Sequence, residues 1–594
     1  MRRIRQTSLI IPLLVALIAG CGSTLHTPAP TASTAAPAAT STLRPTPVSS
    51  SAASAPAQSA DPLLGALVVT VSDRLRVRSA PEVSEASIKY EPVLPLGTEL
   101  RVIGGPVRAS GYVWYDVTPV SFDLAGDVAH GWVAMADHDA EPWLALADPP
   151  VAGLETATST LERATKDPAA GRAVARSVTA FGIDLYRAML SEPSLDLRTS
   201  NLVFSPTSIA LALGMARAGA RGVTAKQIDD VLRSSGWDEL GSGLNALDQA
   251  LASRDGAYVD DMGTSHRLAL KIANTSFAQR GWSIEPAYLD AIASAFGAGL
   301  KLVDYIGDPD AARIAINTWV DQRTAGRIPE LLDPSAVSTA TRLYLVNAIY
   351  LKANWVMEFR KDQTASRSFV RLDGSKVGVP TMHLDGGQEV PYLRGDGWQA
   401  TELRYHGPQH TTPLAMTLIL PDDLASLESS LTAGKLEQIS SKLRDERTRL
   451  LTSIQSDGSE MRCPTYPYSL SLSMPRFNLG TRAELAASLV DLGMPRAFDP
   501  DRADFTGIHA PASVGDTIHI ANVIHQANIA VDEVGTEAAA ATAIGTDTTG
   551  GCGPAQPRAE RTLRLDHPFL FALRDVDTGA VLFLGRVVDP SAGA

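Results

Sequence analysis

Two kinds of periodicity divide the chain. Between Asp61 and about Ala147 the apolar residues come in short runs broken by turn residues. These are GALVVTV from Gly65, LRVRSAP from Leu75 to Pro81, GTELRVI from Gly97 to Ile103, VWYDV from Val113 to Val117 and GWVAM from Gly131 to Met135. Short runs with period two predict strands, and hence an all-β unit over 61–147. From Ala173 onward the pattern changes. AVARSVTAFGIDLYRAML and AELAASLVDLG place apolar residues at helical spacing, whereas LAMTLILP and AVLFLGRVV are continuous apolar runs that predict buried strands. Helices and strands succeed one another without a regular βαβα alternation, which predicts an α+β fold over 173–592. Residues 148–172 read as a connector with some helical character.

One stretch fits neither pattern. Glu533 to Thr549 reads EVGTEAAAATAIGTDTT: it has no Pro and consists mostly of Ala, Thr and Gly. Such a segment is either a flexible surface linker or a strand able to lie in the middle of a sheet. The second role requires a backbone N–H at every position and small or apolar side chains on the buried face. Thr536, Ala538, Ala540, Thr542 and Ile544 form one such face, and Glu537 falls on the other. Downstream, LRLDHPFLFAL from Leu563 to Leu573 reads as two short strands around a turn at Asp566-His567-Pro568.

The N-terminus changes the picture of where the chain works. Arg2, Arg3 and Arg5 precede an apolar stretch, Ser8 to Ala19, that is too short to span a bilayer. It ends in LIAGC, with small residues directly before Cys21. This resembles a bacterial lipobox and implies a leader over 1–20, cleavage before Cys21 and lipid attachment there. Residues 21–60 are Ala, Ser, Thr and Pro with almost no charge, a composition that cannot bury a core and predicts an extended tether. The expected location is therefore extracytoplasmic and membrane-anchored, at the cell surface or in the periplasm. A net charge of −13 over 594 residues and no basic stripe argue against a nucleic-acid partner. There is no GxSxG, HExxH or CxxC, and the eleven His are scattered, so no enzyme, metal or cofactor site is expected. GTDTTGGCG, Gly545 to Gly553, is Gly-rich but lacks the GK[ST] ending of a phosphate loop. Cys463 and Cys552 are either two free thiols or a bridge.

EVGTEAAAATA followed by LDHPFLFAL resembles the hinge and C-terminal signature of the serpins, protease inhibitors whose exposed reactive loop inserts into a sheet. NLVFSPTSIALALGMARAGARGVTAKQI (Asn201 to Ile228) resembles the family's early strand and buried helix. INTWVDQRTAGRIPELL (Ile316 to Leu332) resembles the helix that crosses its main sheet, and LYLVNAIYLKANW (Leu343 to Trp355) its central strand. VPTMH, LSLSMPRFNL and LGRVVDP follow in the family's order. The runs within 61–147 resemble a bacterial Src-homology-3-like barrel, with Tyr112, Trp114 and Trp132 either lining a groove for a cell-wall ligand or filling the core.

The serpin resemblance implies a monomeric suicide-substrate inhibitor of serine proteases, acting without a cofactor. Its hinge would be Glu533, Gly535, Thr536, Glu537, Ala538, Ala539, Ala540 and Ala541, with Gly535 supplying backbone freedom and Thr536 inserting first. Ser205, Ser208, Asn347 and His525 match a polar cluster beneath the strands that open, and Trp355 the top of the sheet. Counting from Gly535 puts the reactive bond at Thr549-Gly550, implying a protease with a small primary pocket. Counting back from His567-Pro568 puts it about eight residues later, near Pro557-Arg558, so the loop is longer than usual; Pro554 and Pro557 suit its non-inserting side. Two rivals are a non-inhibitory serpin serving as a cell-surface binding or scaffold protein, and a cell-wall hydrolase targeted by the barrel, against which the missing catalytic constellation argues.

Overall fold

The computed structural model describes residues 63–593, except 73–74, 95–97, 121–123, 125–127, 137–141, 148, 196, 260–264, 325, 385–389, 409–410, 455–467, 512–515 and 537–558. The leader, the tether and Cys21, Cys463 and Cys552 lie outside the described residues, as does the loop from Glu537 to Arg558.

The N-terminal unit consists of β1 (Leu67–Thr70), β2 (Leu75–Arg78), β3 (Lys89–Leu94), β4 (Glu99–Ala109), β5 (Tyr112–Pro119), β6 (Gly131–Ala134) and β7 (Leu144–Leu146). They form an antiparallel sheet in the order β3-β2-β6-β5-β4-β1-β7. Period-two alternation supplies the core: Val68, Val77, Leu94, Leu100, Val102, Val117 and Val133 pack together. β4 shifts register against β5 between Val102 and Val107, and Gly105 within this bulge has φ +107, a conformation that favours glycine. The end strands β3 and β7 do not pair with each other, so among the described residues the sheet is not closed. Trp114 is buried and donates its Nε1–H to Ala109 O at 2.9 Å, whereas Tyr112 and Trp132 are half-buried.

The connector contributes a strand, β8 (Glu155–Ala157), and leads into α1 (Pro168–Ser191), which Asp167 caps by accepting from the N–H groups of Ala169 and Ala170. Next come β9 (Leu202–Phe204), α2 (Pro206–Gly219), α3 (Gly222–Leu232), α4 (Trp237–Ala252), β10 (Gly256–Val259), β11 (Ser265–Gln279), α5 (Pro286–Phe296), β12 (Leu300–Val303), α6 (Pro309–Arg323) and β13 (Leu343–Asn354). The middle of the chain forms β14 (Ala365–Val370), β15 (Lys376–Leu384), β16 (Tyr392–Gly395), β17 (Trp398–Tyr405), β18 (Leu414–Pro421), α7 (Leu424–Ser430) and α8 (Ala433–Ile454). The last part forms β19 (Tyr468–Pro475), β20 (Phe477–Glu484), α9 (Ala486–Asp491), β21 (Ile520–Val531), β22 (Gly535–Thr536), β23 (Ala559–Arg564), β24 (Phe569–Asp575) and β25 (Val581–Val587). The two strands expected around Asp566-His567-Pro568 are β23 and β24. The helix expected within Ile316–Leu332 starts earlier, at Pro309, because Asp308 accepts from Ala311 N–H and ends the preceding turn.

Three sheets organise this part. The main sheet runs β20-β21-β22-β13-β11-β12-β8 with β10 attached to β11, a second runs β16-β17-β18-β24-β25-β9, and a third runs β14-β15-β19-β23. β13 lies in the interior of the main sheet, which is why its first part, LYLVNAI from Leu343 to Ile349, is apolar on both faces except at Asn347. Its two faces meet different cores. Tyr344, Val346 and Ala348 pack with Ile316, Trp319 and Val320 of α6. Ile349, Leu351 and Ala353 pack with Met416 and Leu418 of β18 and Phe571 of β24. The sheet is thus buried on both sides, between α6 and the second sheet. β8 extends it beyond β12, pairing Leu300 with Ala157 and Leu302 with Glu155. Lys271 of β11 reaches Glu99 of β4 at 2.5 Å.

Candidate functional site

Inside the main sheet, β13 and β21 run parallel and are paired directly from Leu343–Ile520 to Ile349–Ala527. Above that stretch they are parted by a two-residue strand, β22, whose Thr536 pairs with both Ala353 and Val531. The chain reverses from β21 into β22 through a turn: Asp532 accepts from Val534 N–H at 2.8 Å and Gly535 N–H at 3.1 Å, and Asp532 N–H donates to Gly535 O at 3.0 Å. Gly535 and Thr536, the third and fourth residues of the small-residue segment, are therefore already a strand between β13 and β21.

Thr536 is fully buried, and its Oγ1 lies 2.7 Å from Tyr405 Oη. Tyr405 stacks on Trp355 at 4.2 Å. Trp355 ties the turn down, donating from Nε1 to Asp532 O at 3.0 Å and from its backbone to Val534 O at 2.8 Å. Gly535 was expected to supply freedom; the structure gives a different reason for it. Its φ is not in the left-handed region, but a Cβ there would lie 2.0 Å from Ala353 O. Glycine is needed because two backbones touch. Glu533 is also buried. Arg476 Nε donates to it at 2.8 Å and Thr364 Oγ1 bonds the same oxygen. Burial works to raise the Glu533 pKa, but Arg476 and Thr364 outweigh it and hold the carboxyl below its ordinary range.

Lower in the seam the structure brings Ser205, Ser208, Asn347 and His525 together, all four fully buried. Asn347 and His525 are directly opposite each other across the seam, and His525 Nδ1 bonds Asn347 Oδ1. On the other side of the ring, Ser205 N–H donates to His525 Nε2 at 3.0 Å. Since Nε2 accepts, the proton of the neutral ring sits on Nδ1 and is donated to Asn347. Asn347 Nδ2 donates to Ser208 Oγ at 2.7 Å and to Asn274 Oδ1 at 2.6 Å; Ser208 Oγ donates to Asn274 Oδ1 at 2.8 Å. Ser205 has a second task, capping α2 through Ser208 N–H at 3.1 Å. Asn274 of β11, Tyr405 and Arg476 were missed. Asn274 carries no distinct signal, since β11 also holds Lys271, Thr275, Ser276 and Gln279; Tyr405 and Arg476 are recruited from β17 and the β19–β20 link. Glu537, Ala538, Ala539, Ala540, Ala541, Thr549, Gly550 and the reserve position Arg558 lie outside the described residues. Among the described residues no group of three or more His, Cys, Asp and Glu side chains could hold a metal ion.

The chain belongs to the serpins: the family model described as serpin (serine protease inhibitor) matches residues 176–590. These are protease inhibitors and not enzymes. An uncharacterized serpin-like protein of Thermococcus kodakarensis is 34% identical over 423 residues, 71% of this chain and 86% of its own length. The human leukocyte elastase inhibitor is 32% identical over 413 residues, 69% of this chain and 98% of its own. The fold matches native tengpin, a thermophilic serpin, with a TM-score of 0.57 and 22% identity, over 73% of this chain and 100% of tengpin.

Burial pushes the His525 pKa from 6.5 down to about 3, so the folded state holds the neutral ring. Between those values the unfolded chain binds the extra proton. This contribution to stability is complete above about pH 6.5 and is lost as the pH falls toward 3, by at most about 1.4 kcal/mol per unit. His525→Asn removes the proton but keeps a polar group, so urea midpoints between about pH 6.5 and pH 4 should fall more steeply for the parent than for the variant. Equal slopes would mean that His525 titrates as if solvated. Gly535→Ala, by forcing a Cβ against Ala353 O, should expel β22 at a cost of about 1–3 kcal/mol. Hydrogen exchange reads this as lost protection at Thr536 and Ala353; unchanged protection would refute the close-contact argument.

Proposed function

We propose that this serpin is an irreversible suicide-substrate inhibitor of a serine protease with a small primary pocket, elastase-like or subtilisin-like. The observation that carries the reading is the seated wedge: β22 already parts β13 from β21 at one end of the seam. Continuing its antiparallel register, Ala538 would fall opposite Leu351, Ala540 opposite Ile349, Thr542 opposite Asn347, Ile544 opposite Leu345 and Thr546 opposite Leu343. All of these share the Thr536 face. Insertion would break the Asn347–His525 contact, and the residue arriving between them would be Thr542, whose hydroxyl can take up the bonds released. Elsewhere on that face Ala and Ile would meet apolar core.

In this reading the protease serine attacks the Thr549 carbonyl, the Gly550 amine leaves, and an acyl-enzyme remains on Thr549. Insertion of the freed segment carries the protease along the sheet and distorts its oxyanion donors, whose loss slows deacylation by orders of magnitude. Strain held in the uninserted state drives the step. Thr536 to Thr549 spans roughly 46 Å at about 3.3 Å per residue, enough to cross the sheet. Cleavage at Arg558 would add nine residues of slack, including two prolines, and favour hydrolysis. The similarity to leukocyte elastase inhibitors supports a small pocket. Lipid on Cys21 would hold the monomer on the outer side of a membrane, with 21–60 as the tether. We read 61–147 as a bacterial Src-homology-3-like module, either binding a cell-wall ligand or packing without one.

Mixing the protein with a panel of serine proteases tests the reading on denaturing gels. A covalent complex is expected, and a clean nick with no complex would favour the non-inhibitory scaffold. Thr536→Arg would bury an unpaired guanidinium beside Tyr405 at a cost of several kcal/mol, on the order of the penalty for any lone buried charge. It should turn inhibitor into substrate while the fold survives. Cleaved parent protein should melt higher than intact protein, and equal melting would sink the insertion mechanism. The peptide released from the trapped complex should begin at Gly550 by mass spectrometry; one beginning at Ala559 would move the reactive bond to Arg558.

A further inference from the structure

Far from the seam in sequence, α1, α8 and the β24–β25 turn enclose a cavity of about 220 Å³. Four arginines line it: Arg172 and Arg176 of α1, Arg444 of α8 and Arg574 of β24. Arg172 and Arg176 are one helical turn apart, so they repel along the same face of α1. Among the described residues neither they nor Arg444 have a hydrogen-bonding or ion-pairing carboxylate. The carboxylates on the wall do not balance this charge. Asp577 is already engaged by Arg254 at 2.7 Å, and Glu437 stands alone.

Beneath the wall the imbalance continues. Arg574 and Arg404 are both buried and lean on the same carboxylate, Glu402. Arg404 Nε lies 2.8 Å from Glu402 Oε1 but without the alignment of a hydrogen bond. Burial pushes the Arg574 pKa down, Glu402 pushes it back up, and Arg404 and Arg444 push it down again. A buried guanidinium pair with one carboxylate is short of one negative charge. Facing the same cavity, Ser440 is 4% exposed and its Oγ has no hydrogen-bond partner. An unpaired buried hydroxyl ordinarily has a partner from solvent or ligand. Leu436, Val576 and Val581 supply an apolar remainder.

We propose that this cavity is a binding site for a small phosphomonoester, its phosphate held by Arg172, Arg176 and Arg444 with Ser440 as an additional donor, and its organic part resting on Leu436, Val576 and Val581. Three free guanidiniums suit a dianion better than a monocarboxylate, since each can donate a fork of N–H groups to phosphate oxygens. The bound charge also supplies what Arg574 and Arg404 lack. The site does not depend on the inhibitory reading, because none of its residues belongs to the seam.

The same chemistry is offered by a soluble phosphomonoester and by the headgroup of phosphatidic acid, so the test has two arms. Phenyl phosphate is titrated into the full-length protein by calorimetry in about 0.15 M salt, where loose surface attraction is screened. Flotation with vesicles containing phosphatidic acid, against vesicles of neutral lipid, forms the second arm, using protein without the Cys21 lipid. Saturable binding of phenyl phosphate is expected, weakened about tenfold for each guanidinium removed in Arg176→Gln and in Arg176→Gln/Arg444→Gln. Ser440→Ala should weaken it less. The ligand-free double variant should melt no lower than the parent, because it removes like-charge repulsion. Binding to phosphatidic acid vesicles alone, lost in the double variant, would support the site with a lipid headgroup as its source. No saturable binding in either arm, or binding undiminished in the double variant, would overturn the proposal.

Discussion

Parallel pairing of β13 with β21 is the contact on which the rest of this structure turns. A parallel ladder deep in a sheet satisfies every backbone group, yet here it stops at Ile349–Ala527 and gives way to β22. Below that point the strands are joined by their ladder, by apolar neighbours such as Val346 and Ile524, and, among the described residues, by one side-chain hydrogen bond across the seam, Asn347 to His525. Each of those polar atoms has a defined partner, and the imidazole stays neutral because charging it would cost the full desolvation of a buried ion. At Asn347–His525 the seam is therefore closed by side-chain bonds that can be exchanged one for one. An apolar zipper at the same place would have to lose packing before a strand could come between.

Around the seam the packing is asymmetric. The turn into β22 is held by Trp355, Arg476 and Thr364, all from outside β21, so the wedge is anchored by three other segments of chain. On the far side of the sheet α6 covers Tyr344, Val346 and Ala348. At the opposite edge the connector adds β8 to β12, and Arg163 binds Asp248 of α4 at 2.6 Å. The N-terminal unit also meets the main sheet, through Glu99 and Lys271. Any widening of the seam must carry β13, β11, β12 and β8 together, so these attachments are joined mechanically to the same element.

The cavity between α1 and α8 shows another use of unbalanced charge. At Glu533 one carboxylate meets a guanidinium and a hydroxyl, and the group is satisfied. At Glu402 one carboxylate serves two buried guanidiniums, and the wall above adds three more. Both sites bury charge; only the second leaves a surplus facing an open space. That contrast, and not the mere number of arginines, marks the cavity as built for an anion.

The chain's local patterns were enough for much of this. Apolar alternation marked the strands of the N-terminal unit, continuous apolar runs marked β18 and β25, the resemblance of LYLVNAIYLKANW to a serpin central strand marked β13, and the Pro-free run of small residues after Glu533 marked a segment compatible with a central strand. Those properties depend on period and on backbone N–H groups, which neighbours in sequence already determine. Whether the N-terminal strands close on themselves was not legible, since closure depends on which edges meet. Nor was the reason for Gly535, which is the approach of Ala353 O from another strand. Asn274, Tyr405 and Arg476 join the site from β11, β17 and the β19–β20 link, and Glu402 meets Arg574 across 172 residues of chain. Contacts of that kind follow from sheet order and register, and these are settled by the packing of the whole molecule and not by any one segment.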